Sequence, residues 1–368
     1  MLIATVVGNR PQFIKAAAVS RRLRERHREI LIHTGQHHDP ELSQLFFDEL
    51  ELPVPDRELG LGGSGNLEQI GRMLPALGAE LKLIGPDAVL VYGDTNTTLA
   101  AALAAAHLQL PLIHVEAGMR SFDRTMPEET SRVLTDHLAG LCLCSTPLAL
   151  ENLAREGLAG VLIGDVMADL AVALAARARR ESTVLRDHGL APRSFVLATA
   201  HRPGNVDEPR RLERLVSLLA AIPMTVFFPV HPRTRARLEA SGLARRLEAA
   251  GNIILHEPLG YLDLLALIVS ARAVLTDSGG LQKEAYVLGT PCITLRDRTE
   301  WQETVAAGWN TLVDLDADAA RAALRRNPPD EHPDLYCAGR AVENLLAAVG
   351  RWTPALPTGS RQPIATPI

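Results

Sequence analysis

Three acidic residues in the first half of the chain stand where acid–base chemistry is expected. Asp94 and Glu116 each follow an apolar run, and Glu128 opens a helical one. Carboxyl groups gathered in one cleft push their pKa values apart, so that one can stay protonated while another acts as a base. Arg10 and Lys15, which follow the first apolar run, would add positive charge. The sequence therefore predicts a proton-transfer site with cations nearby.

Each of these acids also has a structural explanation. Asp94 directly precedes a helical run and could simply cap it. Glu128 and Glu129 both open a helix, where the helix dipole favours acids. One of the two is therefore expected only to stabilise the start of the helix. Glu116 ends a buried strand, and a carboxylate in that position is costly unless it is paired or used.

The second half carries a pattern that predicts a phosphate site. An apolar strand is followed at once by Asp277, Ser278, Gly279 and Gly280, and then by a helical run. Adjacent glycines let backbone N–H groups approach a ligand closely, and a helix N-terminus favours an anion. Glu284 lies about one helical turn further on, where a carboxylate suits the two hydroxyls of a ribose. We therefore expect a nucleotide-diphosphate pocket here.

Two histidines follow apolar runs in the same half. His201 and His231 both stand at predicted strand ends. Histidine is a proton donor or charge partner near neutral pH. A structural role stays open for each, but their shared location makes both candidate ligand contacts.

The elements that must position these residues alternate along the whole chain, since short β-rich apolar runs are separated by longer helical ones. The strands expected in the first half are 2–7, 29–34, 88–92, 112–115 and 141–144. Those expected in the second half are 195–199, 224–228, 253–256, 273–276 and 292–295. This predicts an α/β chain with two Rossmann-like domains in tandem. Their bounds are expected at 1–168 and 169–345, followed by a helix end and a tail at 346–368.

Composition argues against several classes of protein. A formal net charge of −5 does not suit a general nucleic-acid binder. The four cysteines form no C-x-x-C pair, which favours a reducing cytoplasm. Neither a signal peptide nor an apolar run near the ~18 residues of a membrane span is expected. His33, His37 and His38 are clustered without a complete ligand set, so no metal is expected.

A literal G-x-G-x-x-G occurs at residues 60–65. A dinucleotide fingerprint must follow a strand, and this one is expected to follow the non-strand run 53–56. It is therefore interpreted as a loop.

Taken in order, the motifs resemble those of the non-hydrolysing UDP-N-acetylglucosamine 2-epimerases. The segments that carry the resemblance are 8–15 (GNRPQFIK), 93–95 (GDT), 116–118 (EAG), 127–132 (PEETSR), 201–202 (HR), 229–231 (PVH) and 277–285 (DSGGLQKEA). The resemblance implies the GT-B fold, two Rossmann-like α/β/α domains whose parallel sheets face a central cleft. It also implies a cytoplasmic isomerase that binds a UDP-sugar, needs no cofactor, forms a homodimer and serves the biosynthesis of cell-surface polysaccharide.

The resemblance further implies a role for each candidate residue. Those implied for catalysis are Asp94, Glu116, Glu128 and His201. Those implied for binding the UDP-sugar are Arg10, Lys15, His231, Ser278, Gly279, Gly280 and Glu284. In the implied reaction a base removes the C2 proton as UDP leaves C1, and UDP then returns with C2 inverted, which interconverts UDP-N-acetylglucosamine and UDP-N-acetylmannosamine. The division of acid and base roles stays open, and a GT-B glycosyltransferase is the alternative of a different class.

Some positions depart from the ordinary members of that family. Trp301 follows Thr299 and Glu300 where an arginine is usual, and Leu259 stands where a glutamine is common. Together with nearby segments, the run from 299 to 301 looks closer to a branch that acts on UDP-2,3-diacetamido-2,3-dideoxyglucuronate. An allosteric UDP-sugar pocket is also left open, because Gln36 and His37 match part of it whereas Asp39 departs.

Overall fold

The structure, a computed structural model, describes residues 1–36, 50, 52–63 and 65–354. The chain folds as two compact units. The first comprises Met1–Leu170 and the described residues from Tyr336 onward, and the second comprises Ala171–Leu335. Residues 336–345 thus lie in the first unit, whereas the sequence placed them in the second domain.

The elements follow the alternation of the sequence. The strands are β1 (Leu2–Val7), β2 (Arg28–His33), β3 (Arg57–Glu58), β4 (Ala88–Tyr92), β5 (Leu112–Ala117), β6 (Leu141–Cys144), β7 (Val161–Leu162), β8 (Phe195–Thr199), β9 (Thr225–Pro229), β10 (Ile253–His256), β11 (Ala273–Thr276), β12 (Cys292–Thr294) and β13 (Asn310–Leu312). The helices are α1 (Arg10–Arg24), α2 (Asn66–Ile84), α3 (Asn96–His107), α4 (Pro127–Leu138), α5 (Pro147–Arg155), α6 (Val166–Glu181), α7 (Val184–Asp187), α8 (Pro203–Val206), α9 (Pro209–Ala220), α10 (Pro232–Ala240), α11 (Ala244–Ala249), α12 (Tyr261–Ser270), α13 (Gly279–Val287), α14 (Gln302–Ala306), α15 (Ala317–Arg325) and α16 (Ala341–Arg351).

The first unit is built on a seven-stranded sheet in the order β3-β2-β1-β4-β5-β6-β7. Every neighbouring pair of strands is parallel. Alternate residues of the central strands enter two separate apolar clusters, one on each face, which is why these strands read as continuous apolar runs. The order places the C-terminal ends of β1, β4 and β5 side by side, and the candidate acids and cations follow those ends.

Helix α16 packs into the core of the first unit. The buried residues that it contributes to that core are Ala341, Val342, Leu345, Leu346, Ala348 and Val349. At its start, Glu343 accepts hydrogen bonds from Arg22 and Arg26 of the α1 region. The C-terminal helix therefore belongs to the first unit.

The second unit is built on a six-stranded sheet in the order β10-β9-β8-β11-β12-β13, again with parallel neighbours. Here the ends of β9, β8 and β11 lie side by side. His231, His201 and Ser278 follow those three ends, so one edge of this sheet carries all of the second-half candidates.

The predicted fold class, α/β with parallel sheets in two units, is confirmed. Strands β3, β7 and β13 were missed, because runs of two or three residues are too short for periodicity to indicate. The expectation that no strand precedes residues 60–65 was wrong, since β3 ends two residues before Gly60 and pairs with β2 at the edge of the sheet. Within the described residues, no helix combines the length and the apolar character that crossing a bilayer requires.

Candidate active site

Glu116 ends β5 in a backbone conformation that residues other than glycine rarely adopt. Its φ is 70°, and the pairing of β5 with β6 shifts register between Val115 and Ala117. Glu116 is therefore the extra residue of a β-bulge. Bulges re-aim side chains beside active sites, and a left-handed residue costs of order 1–3 kcal/mol. The fold thus tolerates backbone strain at Glu116, and the bulge determines the direction of its carboxylate.

Lys15 on α1 forms an ion pair with Glu116. The two side chains are only 9% and 14% exposed. Both lie against Gly93, because a Cβ at that position would be 3.0 Å from Lys15 Nζ and 3.6 Å from Glu116 Oε2. The structure therefore brings together a cation that follows β1, the turn that follows β4 and an acid at the end of β5.

The start of α1 is fixed against the end of β4. Asn9 accepts a hydrogen bond from the backbone N–H of Gln12 and so caps the helix. The side-chain amide of Gln12 donates to the Tyr92 carbonyl at 3.0 Å and to the Thr98 hydroxyl at 2.9 Å. Arg10 is the first residue of this anchored helix and is half-buried.

Asp94 does not cap the helix that follows β4. Thr95 caps α3 by accepting from the N–H of Thr98, so the capping explanation for Asp94 is wrong. The Asp94 carboxylate is held instead by Arg132, whose Nε and Nη2 lie 2.9 Å and 2.6 Å from Oδ2. Because the Asp94 side chain is 31% exposed, a ligand can still reach it.

The two glutamates that open α4 differ in environment. Glu128 is exposed, whereas Glu129 is buried. Glu129 accepts hydrogen bonds from the N–H and hydroxyl of Ser121, from the N–H of Phe122 and from Arg132. Burial acts to raise the pKa of Glu129, but these hydrogen bonds outweigh burial and hold its pKa below the ordinary value.

Glu129 is therefore the ionised residue that holds Arg132, and through it Asp94. Sequence reasoning selected Glu128 and did not assign Glu129 or Arg132 to the site. The three-residue spacing of an acid and an arginine on one helix was the available signal for their ion pair.

A fully buried histidine on β5 joins the same region. His114 Nδ1 lies 2.7 Å from Asp136 Oδ1, and its Nε2 lies 2.7 Å from the carbonyl oxygen of Gly93. Asp136 also accepts from the N–H of Gly118 and from Arg120. Sequence reasoning missed this group, although a histidine within an apolar strand was a signal for it.

In the second unit, α13 begins directly after β11 and opens with Gly279 and Gly280. Ser278 occupies the N-cap position, but its side chain does not cap the helix. A Cβ at position 279 would lie 3.3 Å from the indole Nε1 of Trp301 and 3.8 Å from both Arg202 Nη2 and Glu300 Oε2. An indole N–H, a guanidinium group and the helix N–H groups are the donors at this point that suit an anion, and the Glu300 carboxylate is the one acceptor among these neighbours.

Arg202 and Arg296 share a single buried carboxylate. Arg296 Nη1 lies 2.9 Å from Glu300 Oε2, and Arg202 Nη2 lies 3.6 Å from Oε1. Burial acts to raise the pKa of Glu300, but the two arginines outweigh burial and lower it. Two guanidinium groups therefore lie beside the start of α13, with Glu300 between them. Arg202 belonged to a quoted motif, yet sequence reasoning gave it no ligand role.

Asp277 fixes the loop that carries the first candidate histidine. It is fully buried and accepts from the backbone N–H groups of His201 and Arg202 at 3.1 Å and 3.0 Å. The ring of His201 lies 5.4 Å from that of His231, centroid to centroid. His231 Nδ1 accepts from the N–H of Arg233 at 3.2 Å and so caps α10. The two histidines are thus neighbours, and one of them has a structural role as well.

Glu284 is buried on α13 and accepts a hydrogen bond from the Tyr261 hydroxyl at 2.8 Å. Tyr261, the first residue of α12, is itself fully buried and fixes the orientation of this carboxylate. The neighbouring Lys283 places its ammonium group 4.3 Å from the ring centroid of Trp301, a cation–π contact.

Comparison with known proteins decides the family. A family model described as UDP-N-acetylglucosamine 2-epimerase matches residues 21–350. The chain belongs to this epimerase family. Because epimerases are isomerases, the family resemblance and the predicted enzyme class are both confirmed.

Relatives of this epimerase span nearly its whole length. A protein named UDP-N-acetylglucosamine 2-epimerase homolog, from Methanococcus maripaludis, is 47% identical over 316 residues, which cover 85% of this chain and 88% of that protein. The UDP-2,3-diacetamido-2,3-dideoxy-D-glucuronate 2-epimerase of Pseudomonas aeruginosa is 42% identical over 359 residues, which cover 94% and 98%. The relatives of this chain therefore include both a protein named after the ordinary UDP-N-acetylglucosamine epimerases and a member of the branch that acts on the diacetamido-glucuronate sugar.

Solved structures of the same family superpose on this epimerase. The Methanocaldococcus jannaschii UDP-GlcNAc 2-epimerase in complex with UDP-GlcNAc and UDP has a TM-score of 0.88 at 36% identity, covering 95% of this chain and 99% of that chain. The Neisseria meningitidis UDP-GlcNAc 2-epimerase bound to UDP-GlcNAc has a TM-score of 0.83 at 27% identity, covering 95% and 100%. The predicted GT-B fold is confirmed by these neighbours.

Proposed function

We propose that this epimerase interconverts UDP-N-acetylglucosamine and UDP-N-acetylmannosamine without hydrolysing either. The observation that carries the proposal is the bulged Glu116, whose carboxylate pairs with Lys15 beside the Gly93 turn that leads into Asp94. An acid kept at a strand end in a strained backbone conformation, with a second acid after the neighbouring strand, suits proton transfer at a sugar carbon. The choice of substrate is supported by the names of relatives and by the UDP-GlcNAc bound to two of them.

The reaction must avoid a free carbanion. The C2 proton of an N-acetylhexosamine is not next to a carbonyl group, so its simple removal would leave unstabilised negative charge. In an elimination, a base takes the C2 proton, the C–H electron pair forms a C1=C2 double bond, and UDP leaves with the C1–O electron pair. For the return, a UDP phosphate oxygen bonds to C1 while an acid delivers a proton to the opposite face of C2.

We assign proton transfer to Asp94, Glu116 and Glu128 as a group. Asp94 has Arg132 as a partner, which Glu129 shares, and Glu116 has Lys15, so each of these two acids forms an ion pair with a cation. The mutual repulsion that the sequence led us to expect is therefore offset for this pair. A carboxylate that a cation holds in place is a positioned base, and the same group returns the proton when the reaction reverses.

We assign the second unit to the UDP moiety. The start of α13, with Ser278, Gly279 and Gly280, and the guanidinium group of Arg202 beside it suit the departing diphosphate. His201 lies on the loop next to Arg202 and would assist there. Diphosphate leaves with additional negative charge, so donors that are already in place stabilise its departure without reorganising.

The Tyr261→Phe variant is expected to bind UDP about 5- to 10-fold more weakly, because it removes the hydroxyl that orients Glu284 toward the ribose, a net loss of about 1 kcal/mol. Titration calorimetry with UDP and with 2′-deoxy-UDP measures this. The loss should be smaller for 2′-deoxy-UDP, and an equal loss for both ligands would contradict a ribose contact by Glu284. Tyr286→Phe is the matched control, because Tyr286 lies on the same helix as Glu284 but its hydroxyl donates to the Pro333 carbonyl. This variant should leave the affinity for UDP unchanged.

Incubation with UDP-GlcNAc in D2O is expected to place deuterium at C2 and to yield UDP-ManNAc, because the abstracted proton exchanges with solvent before one is returned. NMR of the sugar follows both changes. Sugar that stays intact and undeuterated until an acceptor is added would contradict the proposal and favour a GT-B glycosyltransferase. Accumulation of free UDP and N-acetylmannosamine would instead indicate a hydrolysing enzyme.

UDP-2,3-diacetamido-2,3-dideoxyglucuronate is the second candidate substrate, and two observations favour it. The indole of Trp301 lies against the start of α13, with the Lys283 ammonium group over its ring. At the sequence position of Trp301, ordinary members of the family carry an arginine. The Pseudomonas aeruginosa enzyme named for this sugar aligns over 94% of the chain. Running the same D2O assay with both nucleotide sugars compares their kcat/KM values, and the larger value identifies the substrate.

We further propose a homodimer that works in a reducing cytoplasm. All four cysteines are free thiols, which supports such a compartment. The dimer and the absence of nucleic-acid and membrane partners are supported by the family resemblance and by the net charge of −5.

A further inference from the structure

One buried charged cluster in the first unit has no part in the proton transfers described above. Its centre is His114 on β5, which is fully buried. Both of its ring nitrogens are engaged at 2.7 Å, Nδ1 with the Asp136 carboxylate and Nε2 with the Gly93 carbonyl. Distances this short for both nitrogens indicate two real hydrogen bonds.

The nature of the two partners fixes what the ring must donate. A backbone carbonyl can only accept a hydrogen bond, so Nε2 must carry a proton and donate to Gly93. On the other side of the ring, Nδ1 shares a hydrogen bond with Asp136. Burial acts to raise the pKa of Asp136, but His114 and Arg120 outweigh burial and lower it. The ring therefore bonds to both partners at once, and the loss of either bond leaves a buried polar group unpaired.

The carboxylate that bonds to His114 is also held from a second side. Arg120 donates to Asp136 and binds Glu156 through two parallel hydrogen bonds of 2.7 Å and 2.8 Å. Burial raises the pKa of the nearby Cys144 thiol to about 12, so it stays neutral. Asp136 is therefore fixed by a cation as well as by the ring.

The same ring connects the backbone on both sides of the candidate acids. Its Nε2 holds the carbonyl of Gly93, the residue before Asp94. Its partner Asp136 holds the N–H of Gly118, two residues after Glu116, at 3.1 Å. Gly93, Glu116 and Gly118 all have positive φ, 63°, 70° and 78°. The imidazole–carboxylate pair therefore bonds to the backbone at two of these three positions, one just before Asp94 and one just after Glu116.

We propose that His114 is a positioning residue for the epimerisation: its buried ring bonds to Gly93 and to Asp136, and so sets the spacing of Asp94 and Glu116. The inference rests on the proposed function, because it takes those two acids as the proton-transfer groups. His114 itself does not touch the sugar. Its removal shifts acids that must lie within hydrogen-bond reach of C2, and a displacement of about 1 Å can lower a rate 100-fold.

Three substitutions separate the two hydrogen bonds. His114→Gln keeps a donor toward the Gly93 carbonyl, His114→Asn keeps one toward Asp136, and His114→Leu keeps neither. For the leucine variant we expect kcat to fall about 10- to 100-fold with KM changed by less than about 3-fold. The glutamine and asparagine variants should each recover part of kcat. If all three fold and keep the wild-type kcat per folded molecule, even with a lower melting temperature, His114 is merely structural and the proposal is wrong.

A second measurement tests the hydrogen bond to Gly93 without any turnover. In wild-type protein labelled with nitrogen-15 histidine, the NMR spectrum should show a ring N–H at Nε2 of His114 that exchanges slowly with solvent, and this signal should vanish in His114→Gln. A His114 ring with no N–H at Nε2 would overturn the proposal even if the leucine variant failed to fold. If wild-type enzyme exchanged no C2 proton, the proposed function would fail while this spectrum still reported on His114.

Discussion

Replacement of Glu116 by glutamine is expected to lower kcat by about 100- to 10,000-fold, the range that a positioned acid or base contributes. Glutamine keeps the size of the side chain and the same backbone requirement at φ 70°, so the bulge is retained while the ionisable group is lost. The UDP contacts that we assign lie in the second unit, so UDP affinity is expected to stay within about 3-fold. Turnover, C2 exchange in D2O and UDP calorimetry together measure this.

Glu151→Gln is the matched control for that variant. Glu151 is exposed on α5 and forms an ion pair with the exposed Arg155 one turn away, so the same chemical change there should leave kcat unaltered. Near-normal turnover by Glu116→Gln would remove Glu116 from the mechanism. A parallel loss of UDP binding would instead show that Glu116 acts in holding the nucleotide.

Gly118→Ala is expected to have the largest effect on stability. Gly118 has φ 78°, and a Cβ there would overlap the carbonyl oxygen of Ala149 and lie 2.8 Å from its carbonyl carbon. Left-handed backbone alone costs an alanine roughly 1–2 kcal/mol, and overlap with backbone atoms that cannot swing away raises the total above about 4 kcal/mol. The melting temperature should fall by roughly 10 °C or more, or soluble protein should be lost.

Gly157→Ala separates the two parts of that effect. Gly157 has a similar φ of 73°, but an added Cβ would meet nothing within 4 Å. Its melting temperature should therefore fall by only a few degrees, which reports the backbone term alone. Equal shifts for the two variants in thermal melts would contradict the close packing of Gly118 against α5.

Much of the fold and part of the candidate site follow from local patterns. Strands such as 88–92 and 273–276 are readable because burial on both faces makes them continuously apolar. Once the sheets are parallel, residues that follow neighbouring strands must meet at one edge, and this places Lys15 beside Glu116 although 101 residues separate them.

The remainder depends on partners that no local pattern specifies. Glu128 and Glu129 look alike in the sequence, and only the position of the loop at Ser121 decides which of them is buried and hydrogen-bonded. His114 reads as an ordinary core residue until the Gly93 carbonyl and Asp136 stand on either side of it. Arg202 gains its place at the start of α13 through Asp277, which lies 75 residues further along the chain.

Because α16 completes the core of the first unit, the two units are completed in a fixed order during synthesis on the ribosome. The second unit, Ala171–Leu335, is an uninterrupted insertion in the first, and all of its strands are synthesised before α16 exists. The first unit begins earlier but lacks the apolar face of α16 until residues 341–351 emerge. Domains generally fold as units during synthesis, so the half that starts first is completed last. A fragment that ends at residue 335 would keep the whole second sheet and leave the core beside α1 uncovered.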